Sequence, residues 1–207
     1  MKKTLLLTFL GLGILFFSCT ERPPPQIAED FVARRPLSVA VLPAVYYPAD
    51  QEEASKVDVK SGYYMSLVLK PPHLKNWVLQ QMEAEVREKL SNRGLEIKNK
   101  EQVHWALGEF KFPETFDWKN FAQSLQVDSL AFVTLYEWDL KRYAKNKSAR
   151  VLVEVAIYNA QNGDLLWSDR NFPITLRVGV TTDNKKLIEL LSDRAVSSAF
   201  QSFPMKP

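Results

Sequence analysis

The 207-residue sequence is poor in the residues that usually carry chemistry: it has one cysteine, two histidines and seven glycines. A single thiol excludes an internal disulfide framework. His73 and His104 stand alone, with no H-E-x-x-H spacing and no cysteine partners, so no metal site and no shared catalytic pair is expected. The nucleophile elbow G-x-S-x-G, the phosphate-binding glycine loop and S-x-x-K are all missing. Gly11 and Gly13, the only closely spaced glycines, sit in an N-terminal apolar run where they cannot cradle phosphate. No internal repeat is present. The sequence therefore gives no grounds for an enzyme or a resident cofactor.

What is present is concentrated at the N terminus. Lys2 and Lys3 precede Leu5–Phe17, a charge-free run of thirteen residues, followed by the small Ser18 and then Cys19. A positive head, an apolar stretch of 7–15 residues and a small residue at the cut describe a secretory signal peptide. The run is shorter than the roughly 20 residues a spanning helix needs. The lone cysteine falls where lipoprotein processing requires one, and Phe16-Phe17-Ser18-Cys19 resembles a lipobox with bulky residues at its first two positions. That resemblance implies cleavage before Cys19, a diacylglycerol on its sulfur and a further chain such as palmitate on its amine. Two or three chains give durable attachment, at about 0.8 kcal/mol for each buried methylene. Thr20 in place of the inner-membrane-retaining Asp points to the periplasmic face of the outer membrane.

Cleavage leaves 25 basic residues against 24 acidic ones, the 27 less Lys2 and Lys3. Near neutrality offers no electrostatic case for nucleic acid. Residues 19–36 form the lipidated cysteine and a tether in which Pro23-Pro24-Pro25 favours extended polyproline geometry. Residues 37–207 make one domain, long enough to bury a core without staples.

Within that domain Leu37–Val45 reads as a strand apolar on both faces, with Pro43 marking an edge or an end. A helix over about 73–93 carries the stripe Leu74, Val78, Met82, Val86 and Leu90, and Gly94 ends it. Leu95–Lys98 is a short strand, and Lys100–Leu107 and Trp118–Leu125 are short helices. Ser129–Leu140 and Arg150–Asn159 are strands rich in branched and aromatic residues. Asn162-Gly163 turns a hairpin into Leu165–Asp169, and Ile174–Val178 continues the sheet. Asp183 caps a last helix with Leu187, Ile188, Leu191, Ala195 and Ala199 on one face. This order defines a single α/β domain with a mixed, mostly antiparallel sheet packed with helices.

Four short motifs, Val39–Pro43 (VAVLP), Leu90–Leu95 (LSNRGL), Asp128–Val133 (DSLAFV) and Asn162–Trp167 (NGDLLW), resemble the periplasmic lipoproteins related to CsgG, LpoB and the N-terminal domain of TolB. Within that group the likeness is to small lipoproteins of unassigned role, and it spans roughly residues 37–200. It implies a CsgG/TolB-N-like fold and a non-enzymatic envelope protein that works by contact, with a CsgG-like lipoprotein as one candidate partner. Lys56–Lys60 alternates polar and apolar residues but is too short for a barrel-forming strand of about 9–11 residues. A pore is not expected.

Two segments are candidates for partner contact. The long loop after the first strand holds Tyr46, Tyr47, Tyr63 and Tyr64, and tyrosine suits protein contacts because it joins apolar area to a polar tip. Tyr63–Leu69 alternatively adds an edge strand or helical turn to the core. Trp138 and Tyr143 flank Lys141-Arg142, as a second contact patch or as hairpin packing. Asp50, Glu52 and Glu53 are best explained as solvated loop charge. The leading function is a lipid-anchored assembly or accessory subunit of a secretion- or transport-like envelope complex. The alternatives are an activator of a cell-wall synthase and, behind it, a glycan-acting hydrolase. The partner and the oligomeric state are not encoded in any motif.

Overall fold

The computed structural model describes residues 24–47, 76–109, 117–140, 148–171, 174–177 and 184–204. Among them are eight strands and four helices: β1 (Gln26–Ile27), β2 (Ser38–Val41), β3 (Val45–Tyr46), α1 (Asn76–Ser91), β4 (Glu96–Ile97), α2 (Lys100–Glu109), α3 (Trp118–Leu125), β5 (Ser129–Asp139), β6 (Ser148–Asn159), β7 (Leu165–Arg170), β8 (Ile174–Arg177) and α4 (Asn184–Ala199). They build one mixed sheet in the order β1-β7-β6-β5-β2-β4, with β3 continuing alongside β5 and β8 alongside β6. The four pairings made by β6, β7 and β8 with one another and with β5 and β1 are antiparallel; those of β2 with β4 and of β2 and β3 with β5 are parallel. This is the α/β class and mixed sheet expected from the sequence.

Alternation along the strands divides the core in two. Ala131, Val133 and Leu135 of β5 and Val151, Val153, Val155 and Ile157 of β6 face α1 and α4. Val78, Met82, Val86 and Leu90 of α1 and Leu187, Ile188, Leu191, Ala195 and Ala199 of α4 are buried there, as their spacing requires. Leu74, Tyr63, Tyr64, Tyr143, His73, the acidic trio at 50–53 and Asp183 lie outside the described residues, as does Cys19. The opposite face holds a smaller core in which Val103, Ala106 and Leu107 of α2 and Phe121, Ala122 and Leu125 of α3 meet Ala40, Leu42, Leu130 and Phe132. Asn99 caps α2 by accepting from the Glu101 and Gln102 amides, and Asp117 caps α3 by accepting from that of Asn120.

Three details depart from the sequence reading. Leu37–Val45 is not one strand: Pro43 has no amide to donate, so the chain breaks there and resumes as β3 along the same neighbour. β2 is interior, between β5 and β4, so Pro43 marks an end and not an edge. At the β6–β7 turn only Gly163 takes positive φ, 74°, while the Asn159 side chain accepts from the Gln161 and Asn162 amides.

The third departure is the largest. The folded unit starts ten residues before the expected boundary at Pro36. β1 pairs with β7, Gln26 opposite Ser168 and Ile27 opposite Trp167. Phe31, 2% exposed, sits edge-on to Phe203 at 5.7 Å, within a cluster that includes Trp167 and Phe200. The strap that follows crosses one end of the sheet. Arg34 bonds Asp164 in the β6–β7 turn, and the Leu37 and Ser38 amides bond the Asp128 carboxylate just before β5. Cys19 is seven residues before Gln26 in sequence, a reach of at most about 25 Å along an extended chain.

Burying Phe31 is what makes the strap part of the domain, so Phe31→Ala should lower the unfolding free energy by about 3 kcal/mol in chemical denaturation. A loss below about 0.5 kcal/mol would show that the strap is not cooperative with the core.

Candidate functional site

On the face away from α1 and α4, the sheet beyond the α2–α3 core is concave. A cavity of about 500 Å³ lies against Gln26, Thr134, Tyr136, Glu154, Ser168 and Arg170, with Phe132 and Tyr158 at the end nearer α3. Strand alternation supplies Thr134 from β5, Glu154 from β6 and Ser168 and Arg170 from β7. Tyr136 arrives differently. The β5–β6 register shifts between Leu135 and Glu137, leaving Tyr136 as the extra residue of a β-bulge. A bulge re-aims side chains. Before it even-numbered residues face the cavity; after it Trp138, opposite Val151, packs against the helix-side core.

The polar centre is a triad of contacts on one oxygen. Oε2 of Glu154 accepts from Arg170 Nε at 2.9 Å, from a terminal Arg170 nitrogen at 2.7 Å and from Tyr136 Oη at 3.1 Å. The Arg170 guanidinium also lies over the Tyr136 ring, 4.1 Å from its centroid, and Tyr47 meets that ring edge-on at 6.3 Å. Burial, reinforced by the Glu154 carboxylate, pushes the Tyr136 hydroxyl well above its ordinary 10.0. Burial works against the Arg170 charge, but the Glu154 carboxylate outweighs it and raises that group. Both side chains keep their charge state at physiological pH. The cavity lining holds one acidic and one basic side chain, paired with each other, and so has no net formal charge.

A second polar cluster is structural. Glu83 of α1, 2% exposed, faces Arg87 Nε at 3.0 Å, His104 Nε2 at 3.7 Å and Lys100 Nζ at 3.9 Å. Arg87 also donates to the Lys98 and Val41 carbonyls. These contacts bind α1 to α2 and to the ends of β2 and β4. His104, one of the two histidines, is therefore placed beside a carboxylate. Among the described residues no group of three His, Cys, Asp or Glu side chains is arranged to hold a metal ion. Among the same residues no helix is long and apolar enough to cross a membrane.

The described members of the expected contact patches are dispersed. Tyr46 and Trp138 are partly buried against the helix-side core. Tyr47 is 4% exposed and packs on Tyr136 at the cavity. The structure does not bring these three together on one exposed surface. No sequence pattern joins Tyr136, Glu154 and Arg170; they sit 18 and 16 residues apart and meet only through strand register.

No protein-family model matches the chain, and no curated protein matches it. Several solved structures are similar in fold. A lipoprotein from Neisseria meningitidis aligns at 17% identity and a TM-score of 0.46 over 82% of this chain and 100% of its own. A PelC dodecamer from Paraburkholderia phytofirmans aligns at 13% and 0.46, over 86% and 92%. The LpoB C-terminal domain from Salmonella enterica aligns at 10% and 0.39, over 68% and 90%. Identities and TM-scores of this size assign no family.

The Tyr136 shift has a definite sign. The folded value lies above the unfolded one, so the hydroxyl's contribution to stability is full below about pH 10 and is lost as pH rises further toward the folded value. Stability of the wild type should therefore fall more steeply above about pH 10 than that of Tyr136→Phe, as urea titrations at about pH 8 and about pH 11 would read. Parallel curves would dissociate the hydroxyl from the fold. Glu154→Gln, which leaves Arg170 half-buried beside a neutral amide, should cost about 2 kcal/mol at neutral pH.

Proposed function

We propose that this chain is a lipid-anchored, non-catalytic accessory subunit of a bacterial envelope complex, attached through Cys19 at the periplasmic face of the outer membrane. The observation that carries the reading is the N-terminal pattern: Lys2-Lys3, the apolar Leu5–Phe17, and the sole cysteine immediately after a small residue. A docked strap supports it, because a domain that begins at Gln26 is held within about 25 Å of its lipid. Attachment at that range makes position the working property. The neutral cavity wall is consistent with recognition of a protein surface.

The synthase-activator alternative is weaker on the same ground. A protein that touches a synthase across the cell wall needs a long free arm, and only six residues separate Cys19 from β1. A hydrolase needs a nucleophile or a free acid–base pair, whereas the cavity carboxylate, Glu154, is engaged by Arg170 and Tyr136.

Metabolic labelling with a fatty acid should mark the wild type and not Cys19→Ala, and the variant should leave the membrane fraction. Equal labelling of both would overturn the anchor. Cross-linking in membranes followed by affinity recovery should return a reproducible envelope partner. Recovery of none, from protein that is labelled, would count against the accessory role while sparing the anchor.

A further inference from the structure

Of the five large apolar side chains that are exposed among the described residues, three lie on one short stretch: Ile27 at 45%, Val32 at 70% and Leu37 at 75%. That stretch is the strap, and it is not a loose segment. Phe31 is buried beside Val32. Asp30 pairs with Arg34, Arg34 also reaches Asp164, Arg35 donates to the Arg93 carbonyl, and the Leu37 amide is bonded by Asp128. These polar side chains are paired with one another at the surface, and Val32 and Leu37 stand exposed beside them.

Both residues lie at one end of the sheet. Phe31 touches Phe203, just past α4; Asp164 is in the β6–β7 turn; Asp128 precedes β5. The chain's path then selects the occupant. Six residues separate Gln26 from Cys19, so a lipid on that cysteine brings a bilayer surface within about 25 Å of β1. β1 runs antiparallel to β7, toward the end that Val32 and Leu37 occupy.

We infer that Val32 and Leu37 form a lipid-facing surface that seats this end of the domain in the headgroup layer. The inference rests on the anchored reading and deepens it: the lipid supplies attachment, and the strap supplies orientation. Apolar side chains at an interface settle about 5–10 Å into the headgroup and acyl boundary. Because Arg34 is already engaged by Asp30 and Asp164, anionic lipid is not required. Zwitterionic phosphatidylcholine suffices.

The test uses the full-length acylated protein. With Cys19 carrying lipid, no free thiol remains, so Val32→Cys, Leu37→Cys and Trp105→Cys each give one site for an environment-sensitive fluorophore. Trp105, 67% exposed on α2, matches the exposure of the other two without belonging to the strap. Thermal unfolding of each variant should match the wild type, as these side chains are exposed. In phosphatidylcholine vesicles, probes at 32 and 37 should brighten several-fold and be quenched by nitroxide-bearing lipid, while the probe at 105 changes little. If the protein floats with the vesicles but 32 and 37 behave like 105, the inference is overturned and the anchor stands. If the protein does not float, the anchor fails and the inference with it. Brightening at 32 and 37 without vesicles, rising with protein concentration, would assign the surface to a second copy and overturn the lipid reading.

Discussion

The insertion of Phe31 among Trp167, Phe200 and Phe203 is the contact on which the rest of the molecule's use depends. It closes a cluster that joins the first folded segment to the last helix, and so ties both ends of the described chain to β7. Arg93 completes it. Its guanidinium lies over the Phe200 ring at 4.8 Å and donates to the Lys89 and Phe200 carbonyls, at the C-terminal ends of α1 and α4. The Arg93 carbonyl in turn accepts from Arg35 of the strap. One arginine and four aromatic rings therefore lock two helix ends and the N-terminal segment at the same pole of the sheet. Without that lock β1 would be a two-residue edge strand with little to hold it.

The second constraint is the bulge at Tyr136. A regular β5 would send Trp138 to the cavity side and leave Tyr136 paired in the ladder. The extra residue moves Trp138 onto the helix-side core and leaves Tyr136 over the sheet, where Glu154 and Arg170 from two further strands meet it. Cavity and core are thus two outcomes of one register shift. The ion pair is more than a surface pair: at about a quarter exposed on each side chain, with two guanidinium donors on one carboxylate oxygen and the guanidinium stacked on a ring, it is held in one geometry.

Much of this was legible in the sequence. Period-four spacing of Val78, Met82, Val86 and Leu90 settled α1, and the branched and aromatic run from Ser129 settled β5, because burial of one face selects those patterns directly. The strap was not legible. Three consecutive prolines and a run of charges look like a solvated spacer, and nothing local distinguishes Phe31 from an exposed aromatic until β7 and α4 are in place. Tyr136, Glu154 and Arg170 were hidden for a related reason: bulge position and cross-strand register are tertiary properties, and no spacing rule joins residues 18 and 16 apart. Tyr47 shows the converse. Its composition suggested a contact surface, yet it packs against Tyr136, as tyrosine does when its apolar body can be buried.

Spacer length and strap rigidity together bear on how such a protein acts. A long flexible arm lets a domain search a volume, and contact is then governed by effective concentration. A spacer of six residues between the proposed anchor at Cys19 and a docked strand would remove most of that freedom. With the lipid we propose on Cys19, the cavity, whose wall includes Gln26 of β1, would be held close to the membrane surface. On that reading, a partner in the same membrane would meet this surface at reduced entropic cost, because part of the orientational loss would fall on the anchor. The anchoring we propose would thus favour standing assembly with neighbours in the membrane plane over capture of distant ligands.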